Sequence, residues 1–353
     1  MNAYWKYIEE LSESFDSILI GSLEGQRIFI TGACGLIGSC LSEAFLALNR
    51  NFQTKCQIYL GARDANRLRQ RFSEFVGEFT PVEYDALKAD LPKVDFDFIF
   101  HCASNAHPKA YASQPVETAL TNTLGTNNLL GMLRASSGGR LVYISSSEVY
   151  GQRKSAEPYV EEDSYPVDSL NPRSCYPASK RMAENLCAAY LAEYGVDSVI
   201  VRPGHIYGPT MSTSDSRAHA QFARNAAAGD NIVMKSDGRQ FRSYCYVVDC
   251  VTAIVSVALN GRSGEAYNIS NPDSDCTIAE LAEAFAKAGG TKLVRSESSS
   301  DEKRGYNMMD NSALDSSKLQ ALGWSGRYSL EEGTRRTVEL LRAGCFSGGV
   351  LAN

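Results

Sequence analysis

Arg27-Ile28-Phe29-Ile30-Thr31-Gly32-Ala33-Cys34-Gly35-Leu36-Ile37-Gly38 reads as a short buried strand, a glycine turn and the opening of a helix that runs through Leu36–Leu48. Glycines at 32, 35 and 38 permit a tight turn and let a pyrophosphate come close to the backbone at the helix N-terminus. The spacing is Gly-x-x-Gly-x-x-Gly rather than Gly-x-Gly-x-x-Gly. Its position after a strand and before a helix is the context that a dinucleotide-binding turn requires.

Working outward, Gln57–Leu60, Asp97–His101, Leu141–Ser145 and Ser198–Arg202 are further apolar strand candidates, separated by helical stretches. Strands alternating with helices predict an α/β fold, a doubly wound parallel sheet covered on both faces. Upstream, residues 4–20 mix aromatic and acidic positions at helical spacing and read as one helix packed on the main body. From about residue 203 the texture shifts to Gly, Ser, Asp and Pro with shorter apolar runs. That predicts a smaller interleaved lobe over the carboxyl edge of the sheet, where ligands of such folds bind. The organisation is therefore an N-terminal helical extension (1–24), a dinucleotide-binding domain with the catalytic residues (25–202), and a mainly substrate-binding lobe (203–345). Ser296–Arg304 is polar and reads as a mobile loop.

A length of 353 residues is enough for a large core, and a net charge of −6 argues against a nucleic-acid surface. No apolar run is long enough to span a bilayer, and no basic-apolar-small pattern of a secretory signal opens the chain. The ten cysteines are scattered, without a Cys-x-x-Cys pair or clustering with the four histidines. They read as reduced thiols of a cytoplasmic protein, and no metal site is expected. His107 and His219 read as surface or packing residues, and His101 as lining the cleft without a catalytic part.

Downstream of the turn, Ser174-Cys175-Tyr176-Pro177-Ala178-Ser179-Lys180 places a tyrosine and a lysine four residues apart, on one helix face. An ammonium there can lower the phenol's pKa towards the working pH. A phenolate beside a nicotinamide can take the proton of an alcohol while hydride leaves its carbon.

The turn and the pair resemble those of the extended short-chain dehydrogenase/reductases, specifically the nucleotide-sugar epimerases, dehydratases and decarboxylases. The likeness covers about residues 26–325. It rests also on Phe100-His101-Cys102-Ala103-Ser104, Thr121-Asn122-Thr123-Leu124-Gly125-Thr126, Ser145-Ser146-Ser147-Glu148-Val149-Tyr150-Gly151, Arg202-Pro203-Gly204-His205-Ile206-Tyr207-Gly208-Pro209 and Arg242-Ser243-Tyr244-Cys245-Tyr246-Val247-Val248-Asp249. The resemblance implies a Rossmann-type sheet and a bound NAD held by Gly32, Gly35, Leu36, Ile37, Gly38, Ala103 and Asn122. It implies that Tyr176 is the base at a sugar hydroxyl, that Lys180 holds the nicotinamide ribose, and that Ser146 bonds the reacting oxygen. Arg242 matches the arginine that meets the diphosphate of a nucleoside-diphosphate sugar, and Ser147 and His205 fall at substrate positions. A homodimer through two helices, one of them bearing Tyr176, is implied by the resemblance alone.

Glu148 separates the subgroups. Simple 4-epimerases usually have a small or neutral residue there, whereas 4,6-dehydratases and UDP-glucuronate decarboxylases have glutamate. Once C4 is a ketone, a carboxylate beside C5 can remove its proton, and a C6 carboxylate becomes a β-keto acid able to lose carbon dioxide. The run Leu170-Asn171-Pro172-Arg173-Ser174-Cys175-Tyr176 is most similar to the decarboxylases. Against that, His205 replaces a common asparagine, Asn311-Ser312 stands where an arginine pair is expected, and Ser147 replaces the general acid of many 4,6-dehydratases. Decarboxylation and dehydration both stay open, with an epimerase and a catalytically silent dinucleotide-binding scaffold as alternatives. Cofactor choice is open as well. The second strand ends Leu60-Gly61-Ala62-Arg63-Asp64, so Arg63 could meet the 2′-phosphate of NADP while Asp64 could reach a ribose. Asp85, after the third strand, matches a position that contacts adenine.

Overall fold

The structure is a computed structural model that describes residues 2–136, 138–153, 155, 157–296 and 309–346. Its centre is a seven-stranded sheet in which every neighbouring pair is parallel. The first six strands in chain order are β1 (Arg27–Thr31), β2 (Gln57–Ala62), β3 (Thr80–Glu83), β4 (Phe98–His101), β5 (Arg140–Ile144) and β6 (Asp197–Pro203). Across the sheet they run β3-β2-β1-β4-β5-β6, and Ala266–Ile269 completes the far edge beside β6. The order reverses between β1 and β4, where Thr31 is in register with His101. A crevice opens at such a reversal beyond the carboxyl ends of the strands. The completely buried Ile28, Phe29 and Ile30 of β1 show why that strand lies in the middle.

A four-stranded sheet lies in the later part of the chain, where Phe241–Tyr246 pairs with Asp275–Thr277, Asn311–Ser312 and His205–Tyr207. Because Ala266–Ile269 joins the first sheet while the flanking segments build the second, the two are interleaved. Residues 297–304 of the expected polar loop lie outside the described residues.

The expected single helix over 4–20 is two helices, α1 (Ala3–Glu13) and α2 (Ser17–Ser22). Asp16 causes the break: its carboxylate accepts from the amides of Ile18 and Leu19, both at 2.9 Å, and so starts a new helix. Against α1 packs α3 (Leu36–Phe52), which carries a fully buried glutamate, Glu43. A buried carboxylate demands partners. Tyr4 and Tyr7 donate to it at 3.1 and 3.3 Å, and Arg71 pairs with it at 2.9 Å. Phe346 closes over the same place, its ring centroid 5.8 Å from that of Tyr4 and 5.4 Å from that of Tyr7.

Candidate active site

Gly32 has φ +65°, and a Cβ on it would lie 2.7 Å from the amide nitrogen of Ala103. The loop after β4 therefore runs directly against the turn. The Ala103 amide donates to Thr31 Oγ1 at 3.2 Å, and that oxygen is 2.8 Å from His101 Nδ1. A Cβ on Gly38 would collide with the carbonyl of Gly32, so α3 can start this close to β1 only with glycine there. Gly35 differs: at φ −83° it is in a conformation open to any residue, and it caps α3 without a side-chain hydrogen bond. The first amides of a 17-residue helix are thus left for an anion. Leu36 turns inward, where its carbonyl accepts from Thr210 Oγ1 at 2.8 Å, while Ile37 is half-buried at the crevice. Glycine cradle, free amides and crevice together fit a dinucleotide.

At the expected adenosine end the two acids are engaged locally. Asp64 caps the Ala65–Arg71 helix, accepting from the Asn66 amide at 2.8 Å. Asp85 accepts from the Leu87 amide at 3.1 Å and lies 4.0 Å from the Lys88 ammonium. Arg63 is exposed and has no ion-pair partner among the described residues.

Tyr176 lies in the first turn of the Cys175–Tyr194 helix and is buried. Burial pushes its phenol up to about 12, with the charge of Glu148 adding to the rise; a Ser146 hydrogen bond and the cations Arg217 and Arg173 oppose it. Lys180, one turn on, donates to the Ile144 carbonyl at 2.6 Å, its ammonium 5.8 Å from the Tyr176 ring. Burial brings that ammonium down to about 7, against the pull of Cys102 and Glu184. Arg217 and Arg173 thus act on the phenol as cations, and the Lys180 ammonium, anchored on Ile144, lies beneath its ring. His101 is pushed down to about 3 by burial and by Lys180, so it stays a neutral ring, with Nε2 unpartnered among the described residues.

The three consecutive serines have separate surroundings. Ser145 donates to Glu184 at 2.5 Å. Ser146 caps the Ser147–Tyr150 turn, accepting from the Glu148 amide at 3.2 Å, and acts to lower the Tyr176 phenol. Ser147 is buried in that turn. Asn122 is buried too, accepting from Ser104 Oγ at 2.8 Å and donating to Ser179 Oγ at 2.9 Å, so it braces the loop after β4 against the catalytic helix.

Glu148 is gripped by Arg173 through two hydrogen bonds, of 2.6 and 2.9 Å. The Arg173 guanidinium lies 4.9 Å over the Tyr111 ring, and that ring stacks on Tyr176 at 4.7 Å and 23°. Arg242 is buried and donates to the carbonyls of Phe241 and Met309 at 2.9 and 2.6 Å. His205 packs 5.5 Å from Tyr244 with Nδ1 unpartnered among the described residues, and burial beside Arg242, His219 and Arg217 keeps it neutral.

Sequence reasoning missed Tyr111, Arg173, Arg217, Glu184 and Arg202 as members of this site. Arg217 is held by Asp215 at 2.5 Å from a segment distant in sequence. Arg202 donates to Glu184 at 3.0 and 2.7 Å, and to Tyr150 at 3.1 Å. Arg173 stood inside a quoted motif, so its nearness to Tyr176 was available; its pairing with Glu148 was not.

Turn, sheet and Tyr-Lys pair belong together in one class of proteins, dinucleotide-dependent enzymes of the extended short-chain type. The model of the NAD dependent epimerase/dehydratase family matches residues 28–270, and the chain belongs to that family. It is 30% identical over 321 residues to UDP-glucuronic acid decarboxylase 1 of Xenopus tropicalis, covering 90% of this chain and 72% of that protein. The structure of a dTDP-glucose 4,6-dehydratase from Streptomyces venezuelae with NAD bound superposes with a TM-score of 0.75 at 26% identity, covering 90% of this chain and 97% of that one. A UDP-glucose 4-epimerase from Thermotoga maritima, solved with UDP-glucose, reaches 0.75 at 22% identity over 90% and 99%.

Lys180 links the site to stability. Its ammonium titrates near 7 when folded against an ordinary 10.5, so between those values the unfolded chain binds the extra proton and stability rises with pH. Lys180→Met removes that term. Thermal melts should show the variant gaining more over the parent at pH 6 than at pH 10; an equal change at both would refute a buried, depressed lysine.

Proposed function

We propose that the protein acts on a nucleoside-diphosphate sugar through a transient C4 ketone, as a lyase whose second step is at C5, and that decarboxylation of a hexuronate is the reaction. The observation that carries this reading is the Glu148 carboxylate, joined through Arg173 and Tyr111 to the Tyr176 ring. The decarboxylase relative supports it.

When bound, a nicotinamide dinucleotide supplies a hydride acceptor and later a donor for C4. Tyr176 takes the C4 hydroxyl proton, and Ser146 holds the reacting oxygen. With C4 a ketone, the C5–C6 bond breaks, carbon dioxide leaves, and the electron pair enters the C4 enolate. On this reading Glu148, protonated from solvent, delivers a proton to C5, and Tyr176 would return its own proton to the C4 oxygen as C4 is reduced again. On this reading Lys180, held by the Ile144 carbonyl, binds the ribose. We assign NAD as cofactor. Arg63, exposed and without an ion-pair partner among the described residues, adds a contact to a 2′-phosphate, and Arg63→Ala should weaken NADP about tenfold while changing NAD little, as read by fluorescence titration. Equal losses for the two would remove that contact.

Substrate identity is tested by incubating UDP-, dTDP-, GDP- and CDP-sugars with the protein and resolving products by NMR. Tyr176→Phe should lower turnover by roughly two to four decades. Glu148→Gln should still allow hydride transfer from C4 and loss of carbon dioxide but stall before C5 is protonated, so that reduced cofactor accumulates with a decarboxylated sugar still oxidised at C4. A Glu148→Gln variant that turns over normally and merely inverts a hydroxyl would establish the epimerase instead.

The homodimer is part of the same proposal. Val116, Leu120 and Leu124 recur every four residues along the Pro115–Ala135 helix and are exposed, as is Met182 on the adjoining catalytic helix. Such a stripe suits burial against a second copy. Leu120→Glu should give a monomer in light scattering; an unchanged mass would place the interface elsewhere.

A further inference from the structure

Arg173 holds the Glu148 carboxylate close to the Tyr176 ring. Its fork takes both oxygens of Glu148, at 2.6 and 2.9 Å, the bidentate geometry that guanidinium and carboxylate share. The arginine is fixed from two sides. It lies in the Pro172–Ser174 turn immediately before the catalytic helix, where its amide donates to Asn171 Oδ1 at 3.0 Å. Its guanidinium rests 4.9 Å over Tyr111, the ring stacked on Tyr176. Its Nε is buried without a partner among the described residues, so only the outer edge of the fork is in use. Glu148 reaches it from the separate Ser147–Tyr150 turn, and the pair is only partly buried, with side-chain exposures of 24% and 20%. A pair open to solvent can exchange partners at moderate cost.

The same grip is awkward for the chemistry assigned to Glu148. A carboxylate whose two oxygens are both held by a guanidinium has little capacity left for a proton at C5. We infer that Arg173 is the specificity-determining receptor for the C6 carboxylate of the substrate, and that Glu148 fills this receptor until the substrate displaces it. The inference rests on the hexuronate reading above and adds a residue and an order of events to it. The C6 carboxylate is chemically the group that Glu148 presents, it is attached to C5, and one fork holds only one carboxylate bidentately. Its arrival therefore frees Glu148 at the carbon where Glu148 is needed. A neutral hexose has no group able to make the exchange. Loss of carbon dioxide removes the substrate's claim on Arg173, and Glu148 returns to it.

Calorimetric titration with UDP-glucuronate and UDP-glucose tests this, with saturating reduced dinucleotide present so that C4 cannot be oxidised. The parent protein should prefer UDP-glucuronate by about tenfold or more. Arg173→Met should abolish that preference while UDP-glucose affinity stays within about threefold, which also shows that the variant is folded. Arg173→Lys, which keeps the charge but not the fork, should recover only part of it. Glu148→Gln should bind UDP-glucuronate more tightly than the parent, by about three- to tenfold, because the receptor is vacated, and UDP-glucose as before. Weaker UDP-glucuronate binding by Glu148→Gln, or a preference that survives Arg173→Met, overturns the inference while leaving the C4-ketone reading intact. If the parent binds neither sugar nucleotide, the nucleotide-sugar reading falls and takes the inference with it.

Discussion

Glu184 and Arg202 meet below the helix that carries Tyr176 and Lys180, in two hydrogen bonds of 3.0 and 2.7 Å, and the pose of both residues traces back to that pair. Glu184 is one turn beyond Lys180 and two beyond Tyr176, so all three lie along one face of the helix. Arg202 is on β6. Ser145, at the end of β5, donates to the same carboxylate, and its neighbour Ile144 is the residue whose carbonyl holds Lys180. The arginine also reaches the Glu161 carbonyl at 2.7 Å and Tyr150, whose hydroxyl donates to Asn268 at 2.5 Å. Helix, two strand ends and the outlying loops are thus fastened at one largely shielded charge pair, with side-chain exposures of 13% and 11%. Removing one partner leaves the other charged and short of hydrogen-bond partners, which is destabilising. The site is pre-organised by this arrangement and not by the reacting residues themselves.

The electrostatics of the free site point the same way. Tyr176 is held too high to be ionised at neutral pH, and Lys180 too low to be fully charged, and burial is the leading cause of both. Nicotinamide and sugar diphosphate both carry charge. Their arrival changes the field around two groups that cannot reach a reactive state alone. Such a site stays chemically quiet until it is filled, which protects a bound dinucleotide from stray reduction.

How much of this was legible in the chain depends on the range of the interaction. Gly32, Gly38 and the β1 strand were readable because their constraint is local: a turn with positive φ, and a helix start that collides with any Cβ. The lysine four residues after Tyr176 was readable for the same reason, as helix periodicity puts the two on one face. The division at Asp16 was a local signal too, an N-cap aspartate inside an apolar pattern, but the continuing periodicity hid it. Asp64 has a local duty that the sequence also carries, since the helix that follows needs an N-cap. Arg242 illustrates the limit: a motif arginine expected at a diphosphate is bonded to backbone carbonyls brought in from residue 309. The Glu148–Arg173 pair spans 25 residues and two separate turns, and no periodicity encodes it.

The clasp around Glu43 joins segments at opposite ends of the described chain. Tyr4, Tyr7 and Glu43 leave the ribosome within a few dozen residues of one another, and their hydrogen bonds need nothing that comes later. The aromatic cover is different. Phe346, with the Arg71 guanidinium 5.1 Å over its ring, arrives only after both sheets have been synthesised. Arg336 likewise pairs with Glu10 across more than three hundred residues. Co-translational folding can therefore build the strands in order and dock α1 early. The seam between first-made and last-made segments closes only after synthesis has passed Phe346, so a nascent chain halted short of it carries an α1 without its aromatic cover.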